Sequence, residues 1–265
     1  MAKIDFMNML EEENKKIEDK VSVTAITCTG DRPVQFGICL KIMNRMKHKP
    51  MQWIIVDDGK NAVDKKDIPE YATYIRREPK STDPQMTLSL NMIEAFKYVN
   101  QEAVIFIEDD DYYPDDYIQA KYDEGQGYDA IGSLYRKYFQ IATNKYYEFI
   151  NHRESITASL MLCNKDTIEF FKQNVQNYID GNGLDTYFWR DFKGKTKMHR
   201  NMQATSIGIK AWVVGRGGGY MPSHTKDAFG FIDDNERVKL KQWIAENELK
   251  SLSDLKTVKG FAPDP

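Results

Sequence analysis

Ala103-Val104-Ile105-Phe106-Ile107-Glu108-Asp109-Asp110-Asp111 runs from an apolar stretch straight into four consecutive carboxylates. Val104 to Ile107 reads as a buried central strand, because an unbroken β-branched and aromatic run suits a sheet covered on both faces. Four like charges at its end repel and raise one another's pKa. A divalent cation with oxygen ligands removes that conflict, and open α/β sheets bind ligands at the carboxyl ends of their strands. The stretch therefore reads as a site for a metal and a diphosphate. The plain alternative, a solvated acidic turn leading to Pro114, does not need acids at the mouth of the strand.

Upstream, Val21 to Cys28 is β-branched and reads as the first strand. Gly30-Asp31-Arg32-Pro33 breaks it, with Pro33 placed to open a helix to about Met46. Trp53 to Val56 is a second buried strand, stopped by Asp57-Asp58-Gly59, and Tyr71 to Ile75 a weaker third. Leu88, Met92, Ala95, Phe96 and Val99 recur at helical spacing. After the acidic strand a helix is expected from Pro114 to Tyr122. Strand and helix alternate with short turns, so the fold class is α/β with a mostly parallel sheet.

Beyond Tyr128 the pattern changes. Ala130–Leu134, Tyr138–Ile141, Tyr146–Ile150 and Ser159–Cys163 read as strands, some antiparallel, and Ile168–Val175 and Thr186–Phe192 as helices. Ala211–Val214 is a late strand before the glycines at 215 and 217–219. Asp234 to Glu246 is a C-terminal helix that Asp233 or Asp234 can cap.

A chain of 265 residues suits one α/β domain with an elaboration at its end. Its net charge of −3 gives no bulk attraction to nucleic acid or membrane. No apolar stretch approaches the roughly 20 residues of a spanning helix. Met1 to Lys20 is too charged for a signal peptide; Ile4, Met7, Leu10 and Ile17 suggest a short amphipathic helix. Cys28, Cys39 and Cys163 lack CxxC spacing and read as reduced core thiols of a cytoplasmic protein.

Three segments, Thr27-Cys28-Thr29-Gly30-Asp31-Arg32-Pro33, Ile54-Ile55-Val56-Asp57-Asp58-Gly59 and Phe106 to Pro114, stand at the ends of successive buried strands. Together they resemble the nucleotide-sugar-binding half of GT-A fold glycosyltransferases, particularly the family-two-like group, over about Val21 to Tyr117. The resemblance implies one GT-A domain over 1–250, with a donor half to 128, an acceptor half over 129–232, a helix over 233–250 and a tail. It implies that Thr27, Thr29 and Arg32 line the nucleotide, that Asp58 accepts hydrogen bonds from the base and that Asp57 orients it. A plain Asp-Gly turn is the structural alternative for that pair. Asp109 and Asp111 match the D-x-D metal positions, with Asp109 and Asp110 also against the donor; Glu108 and Asp110 fit the motif in a second register. Asn91 matches a family asparagine. The basic residue often found before it is Leu90 here, so Arg76 or Arg77 could supply a donor contact.

Gly183-Leu184-Asp185-Thr186-Tyr187-Phe188-Trp189-Arg190 is similar to the family's G-x-E-D…R segment. Leu184 replaces the usual Glu, leaving Asp185 as the implied general base, or as a helix N-cap, with Asp191 and Asp180 behind it. His224, after the glycine run, resembles a third metal ligand. The implied chemistry is transfer of a sugar from a nucleoside-diphosphate sugar, a UDP-sugar first among them, to an acceptor hydroxyl with inversion. Mn²⁺ or Mg²⁺ would be held at the acids.

For the acceptor, Tyr135-Arg136-Lys137-Tyr138-Phe139 and Lys193 to Arg200 are basic, the first interleaved with aromatics, as stacking plus phosphate contact requires. A solvated hairpin and a charged loop are the alternatives. A compact GT-A chain of this kind also resembles phage enzymes that glycosylate hydroxymethylated pyrimidines in DNA, which would place it in a host cytoplasm. A saccharide or protein hydroxyl competes as acceptor. A sugar nucleotidyltransferase and a non-catalytic nucleotide-sugar-binding module are the other readings.

Overall fold

The computed structural model describes residues 20–140, 143–150, 160–179, 183–199, 205–210 and 232–244. The first strand, β1 (Lys20–Thr29), is flanked by β2 (Lys49–Asp57) and β4 (Val104–Phe106), both parallel to it, and β3 (Ala72–Arg76) adds parallel to β2. Continuing past β4 come β9 (Met161–Leu162), β6 (Ala130–Ser133) and β10 (Thr196–His199), giving the order β10-β6-β9-β4-β1-β2-β3. Only β9 runs against its neighbours. The expected parallel α/β sheet is present.

Side chains of alternate strand positions explain its two covered faces. Val21, Val23 and Ala25 of β1 and Ile105 of β4 pack with Phe36, Cys39, Ile42 and Met43 of α1 (Pro33–Arg45). Ile26, Val104 and Phe106 point the other way, onto Met92, Ala95 and Phe96 of α2 (Leu88–Phe96) and Phe171 of α4 (Lys165–Asn177). The Phe106 and Phe171 ring centroids are 5.1 Å apart. α2 stops short of Val99 because the amides of Lys97 and Tyr98 donate to carbonyls three residues back, a tightened last turn.

A second, smaller sheet has the order β12-β8-β7-β11-β5, from Ile232–Asp233, Lys145–Ile150, Tyr135–Gln140, Ile207–Lys210 and Asp111–Tyr112. It is mixed, with β11 parallel to β7 and the other pairs antiparallel. Of the alternatives for the first basic segment, the hairpin is present, formed by β7 and β8, but its solvation is corrected: Lys137, Tyr138 and Phe139 are buried. The expected charged loop at 193–200 is corrected too, since Thr196 to His199 form the edge strand β10.

α6 (Val238–Trp243) covers the second sheet and is shorter than the Asp234–Glu246 expectation. Asp234 does serve its start, accepting from the amides of Val238, Lys239 and Leu240 at 2.7, 3.0 and 3.2 Å. The N-terminal helix, the strand at 211–214 and the tail fall outside the described residues. All three cysteines are free thiols, and no helix among the described residues is long and apolar enough to cross a membrane.

α3 (Tyr117–Gly125) starts after a turn in which the Tyr117 amide donates to the Pro114 carbonyl, and it buries Lys121. Burial pushes the Lys121 ammonium down to about 7, against the pull of Glu124. An unfolded lysine keeps its proton to much higher pH, so folding releases a proton above pH 7 and this penalty fades as pH rises toward 10. Lys121→Met is therefore expected to raise the urea midpoint, most below pH 7 and progressively less above it. A gain that does not vary with pH would contradict a buried lysine that sheds its proton.

Candidate active site

Three strand-end loops meet at the carboxyl end of β1. Loop one leaves β1 at Thr29, loop two leaves β2 at Asp57, and the acids leave β4 after Ile107, whose amide donates to the Ile26 carbonyl at 2.9 Å. The Asp58 amide donates to the Thr29 carbonyl at 3.1 Å, joining loops one and two. Gly59 is required there: a Cβ on it would lie 2.5 Å from the backbone nitrogen of Asp31.

The two acids of loop two take different roles. Asp57 is fully buried; its Oδ1 accepts from the Gly59 amide at 2.8 Å, and its Oδ2 from the Val63 amide at 2.9 Å and the Tyr74 hydroxyl at 2.7 Å. Burial, then this bond to Asp57, raises the Tyr74 phenol to about 12, so it remains a donor. Asp57 is thus the anchor of the turn, as the Asp-Gly alternative has it. Asp58 instead meets Arg77 at 2.6 Å, and the same guanidinium reaches Asn91 Oδ1 at 2.6 Å and Asp83 at 2.7 Å. Arg76 is spent on loop two, donating to the carbonyls of Asp57 and Gly59.

The acidic run splits between two groupings. Asp109 faces loop one, accepting from Thr29 Oγ1 at 2.7 Å and pairing with Arg32 at 2.5 Å, while Arg32 also lies 3.5 Å from Asp110. Burial, with Asp110 adding to it, raises the Asp109 carboxyl; Arg32 and Thr29 oppose the rise. Glu108, Asp110 and Asp111 form the other grouping, each offering an oxygen within 4.8 Å of the others. The two registers left open by the sequence mix here: Asp109 belongs to the arginine, while Asp111 of the first register joins Glu108 and Asp110 of the second in the cluster. Three carboxylate oxygens at that spacing fit a hard divalent cation.

Beneath the cluster lie two phenols. The Glu108 amide donates to Tyr113 Oη at 2.7 Å, and Tyr113 stacks edge-on against Tyr117 at 4.9 Å. Burial, then the charges of Asp111 and Glu108, pushes both phenols well above their ordinary range, so the floor stays neutral.

Thr27 lies one strand repeat deeper than Thr29 and is fully buried, its hydroxyl accepting from the Trp53 indole at 3.0 Å. Its side chain is in the core and not at the mouth, because Trp53 covers that level of the sheet. Asp185 is on α5 (Leu184–Asp191), half-buried, with its Oδ1 accepting from the next amide, Thr186, at 2.9 Å. Gly183, at φ 68°, occupies the N-cap instead of Asp185. Asp191 is paired with Arg190 at 2.7 Å. Asp180 and His224 lie outside the described residues.

Sequence reasoning missed a row across the second sheet. Asp111 pairs with Gly208, Gly208 with Tyr138 and Tyr138 with Tyr147, so these positions share one face. The rings of Tyr138 and Tyr147 stack at 6.3 Å. The tyrosines scattered along β7 and β8 were the signal, and it needs the pairing of β5 with β11 and of β11 with β7 to place Tyr138 beside the acids.

Residues 25–193 match the profile of "Glycosyl transferase family 2". The chain belongs to glycosyl transferase family 2. This family 2 chain is similar in fold to several solved structures at low identity. The mannosyltransferase PcManGT from Pyrobaculum calidifontis, in complex with GDP-Man and Mn²⁺, is 11% identical with a TM-score of 0.47, over 74% of this chain and 58% of that one. TarS from S. aureus is 10% identical with a TM-score of 0.48, over 71% of this chain and 36% of TarS. 4-Diphosphocytidyl-2C-methyl-D-erythritol synthase from Anaerococcus prevotii is 14% identical with a TM-score of 0.41, over 69% and 88% of the two chains. No curated protein matches the chain in sequence.

Proposed function

We propose that this family 2 chain moves a sugar from a nucleoside-diphosphate sugar, a UDP-sugar first among them, to an acceptor hydroxyl with inversion. The observation that carries this reading is the cluster of Glu108, Asp110 and Asp111 within 4.8 Å, at the mouth of the parallel sheet. These three residues would hold Mn²⁺ or Mg²⁺, which when bound supplies Lewis-acid stabilisation of the departing diphosphate. Thr29 and Arg32 fix Asp109, and Arg32 brings positive charge to the same mouth. Asp58, steadied by Arg77 and through it by Asn91, accepts hydrogen bonds from the nucleotide base. Asp57 and Thr27 act beneath the site, as anchors of loop two and of β1.

Asp185 is the proposed general base, taking the acceptor's proton as the new bond forms. Asp185→Asn is expected to lower transfer about 10²–10⁴-fold while donor binding, read by thermal shift with the nucleotide sugar, stays intact. Unimpaired transfer by that variant would remove Asp185 from the mechanism, and a retained anomeric configuration in the product would remove the inverting assignment.

A hydroxymethylated pyrimidine in DNA is an acceptor with one feature in its favour. The first basic segment is folded into β7, but Lys195 and Lys197 both lie over the Tyr128 ring, at 4.7 and 5.5 Å, on the edge strand side. Duplex binding that falls steeply with salt supports the DNA acceptor. Salt-independent binding turns the proposal to a saccharide or protein hydroxyl.

A further inference from the structure

Asp110 is claimed twice at the mouth of the sheet. It offers an oxygen to the cluster with Glu108 and Asp111, and its Oδ2 lies 3.5 Å from the Arg32 guanidinium, which also pairs with Asp109 at 2.5 Å. The backbone seats that guanidinium. Asp31, just before it, is left-handed at φ 54°, a conformation that aspartate tolerates better than most residues, and its Oδ1 accepts from the Asn61 amide of loop two at 3.2 Å. Arg32 itself is the N-cap of α1, its carbonyl accepting from the Phe36 amide at 2.9 Å and its side chain making no cap bond. Loop one thus turns the Arg32 side chain across the mouth, onto the acids leaving β4.

Burial strengthens this pairing. The side chains of Asp109 and Asp110 are 1% and 5% exposed, and that of Arg32 14%. Charges so withdrawn from water act on one another strongly, and a nearby opposite charge keeps a buried carboxylate ionised. Arg32 therefore offsets part of the acid run before any divalent cation arrives. The same positive charge opposes that cation, because like charges set side by side repel. Two neighbouring arginines are committed elsewhere: Arg76 to the carbonyls of loop two, and Arg77 to Asp58, Asp83 and Asn91.

We propose that Arg32 is a resident counter-ion of the acid run, which contests Asp110 with the divalent cation and so sets how tightly that cation is held. This rests on the reading that Glu108, Asp110 and Asp111 hold the cation, and it adds a residue outside the ligand set that controls the affinity. The expected sign is opposite to that of a residue that merely braces the acids. Loss of a brace weakens ion binding; loss of a competitor strengthens it.

Mn²⁺ would be titrated by calorimetry into the full chain and into Arg32→Met and Arg32→Lys variants. Arg32→Met removes the charge and is expected to bind Mn²⁺ about tenfold more tightly, through relief of like-charge repulsion. Its melting temperature without metal is expected to fall, because Asp109 stays buried without its counter-charge. Arg32→Lys keeps the charge and is expected to bind Mn²⁺ more nearly as the unaltered chain does. The guanidinium NMR resonances of the unaltered chain, with those of Arg32 assigned by their loss in Arg32→Lys, keep the test open if Arg32→Met does not fold. Saturating Mg²⁺ is expected to shift the Arg32 resonances more than those of Arg77. Mn²⁺ binding to Arg32→Met no tighter than to the unaltered chain would overturn the proposal and leave the acids as the ion's seat. So would Arg32→Lys binding as tightly as Arg32→Met, or Arg32 resonances that stay in place with Mg²⁺ bound. Mn²⁺ binding to none of the three chains would instead remove the ion reading, and this inference with it.

Discussion

Asp110→Asn is expected to lower metal-dependent transfer about 10²–10³-fold, the cost of losing one group that stabilises developing charge, and to weaken Mn²⁺ binding. Asp109→Asn is expected to leave Mn²⁺ binding close to that of the unaltered chain. The contrast follows from where the two neighbours point: Asp110 offers an oxygen to the cluster with Glu108 and Asp111, whereas Asp109 is taken by Thr29 and Arg32 at 2.7 and 2.5 Å. Calorimetric titration of Mn²⁺ into both variants decides it. An equal loss in the two would return Asp109 to the ligand set. In the unaltered chain a chelator should stop transfer, and added Mn²⁺ should restore it.

Asp57→Ala carries the largest expected loss of stability, about 3–5 kcal/mol. Its carboxylate is fully buried and gathers the amides of Gly59 and Val63 and the Tyr74 hydroxyl, with Arg76 3.4 Å away. Alanine leaves three donors facing a void, and each orphaned group costs its full desolvation. Urea unfolding should show a lower midpoint with an unchanged slope. A shift corresponding to less than about 1 kcal/mol would mean that loop two is held by something other than this side chain.

The three strand ends were legible because β-branched or apolar runs stop abruptly before Gly30, Asp57 and Glu108, and a parallel sheet brings such ends together. The register of the acids was not legible, for a physical reason. Glu108 to Asp111 are four similar residues, and the chain changes sheets among them: Asp111 begins β5. No local periodicity reports that exchange. Pairings such as Gly208 with Asp111 and Gly208 with Tyr138 join distant parts of the chain, so the second sheet was read as separate strands without an order. Thr27 shows a milder limit. Alternation gives the face of a strand residue but not its depth, and Trp53 decides that Thr27 is interior. Arg76 and Arg77 could not be ranked from adjacency alone; the strand turns one onto the backbone carbonyls of loop two and the other onto the Asp58 carboxylate.

Glu108 hangs from the first sheet by the chain leaving β4, while Asp111 is stitched into the second by its pairing with Gly208. The gap between these two carboxylates is thus a seam between two separately built layers. An ion seated there would rivet the layers, and reciprocity requires that any shear between them loosen its grip by the same free energy. Affinity for the ion would then report the alignment of the whole molecule, well beyond the few atoms that touch it.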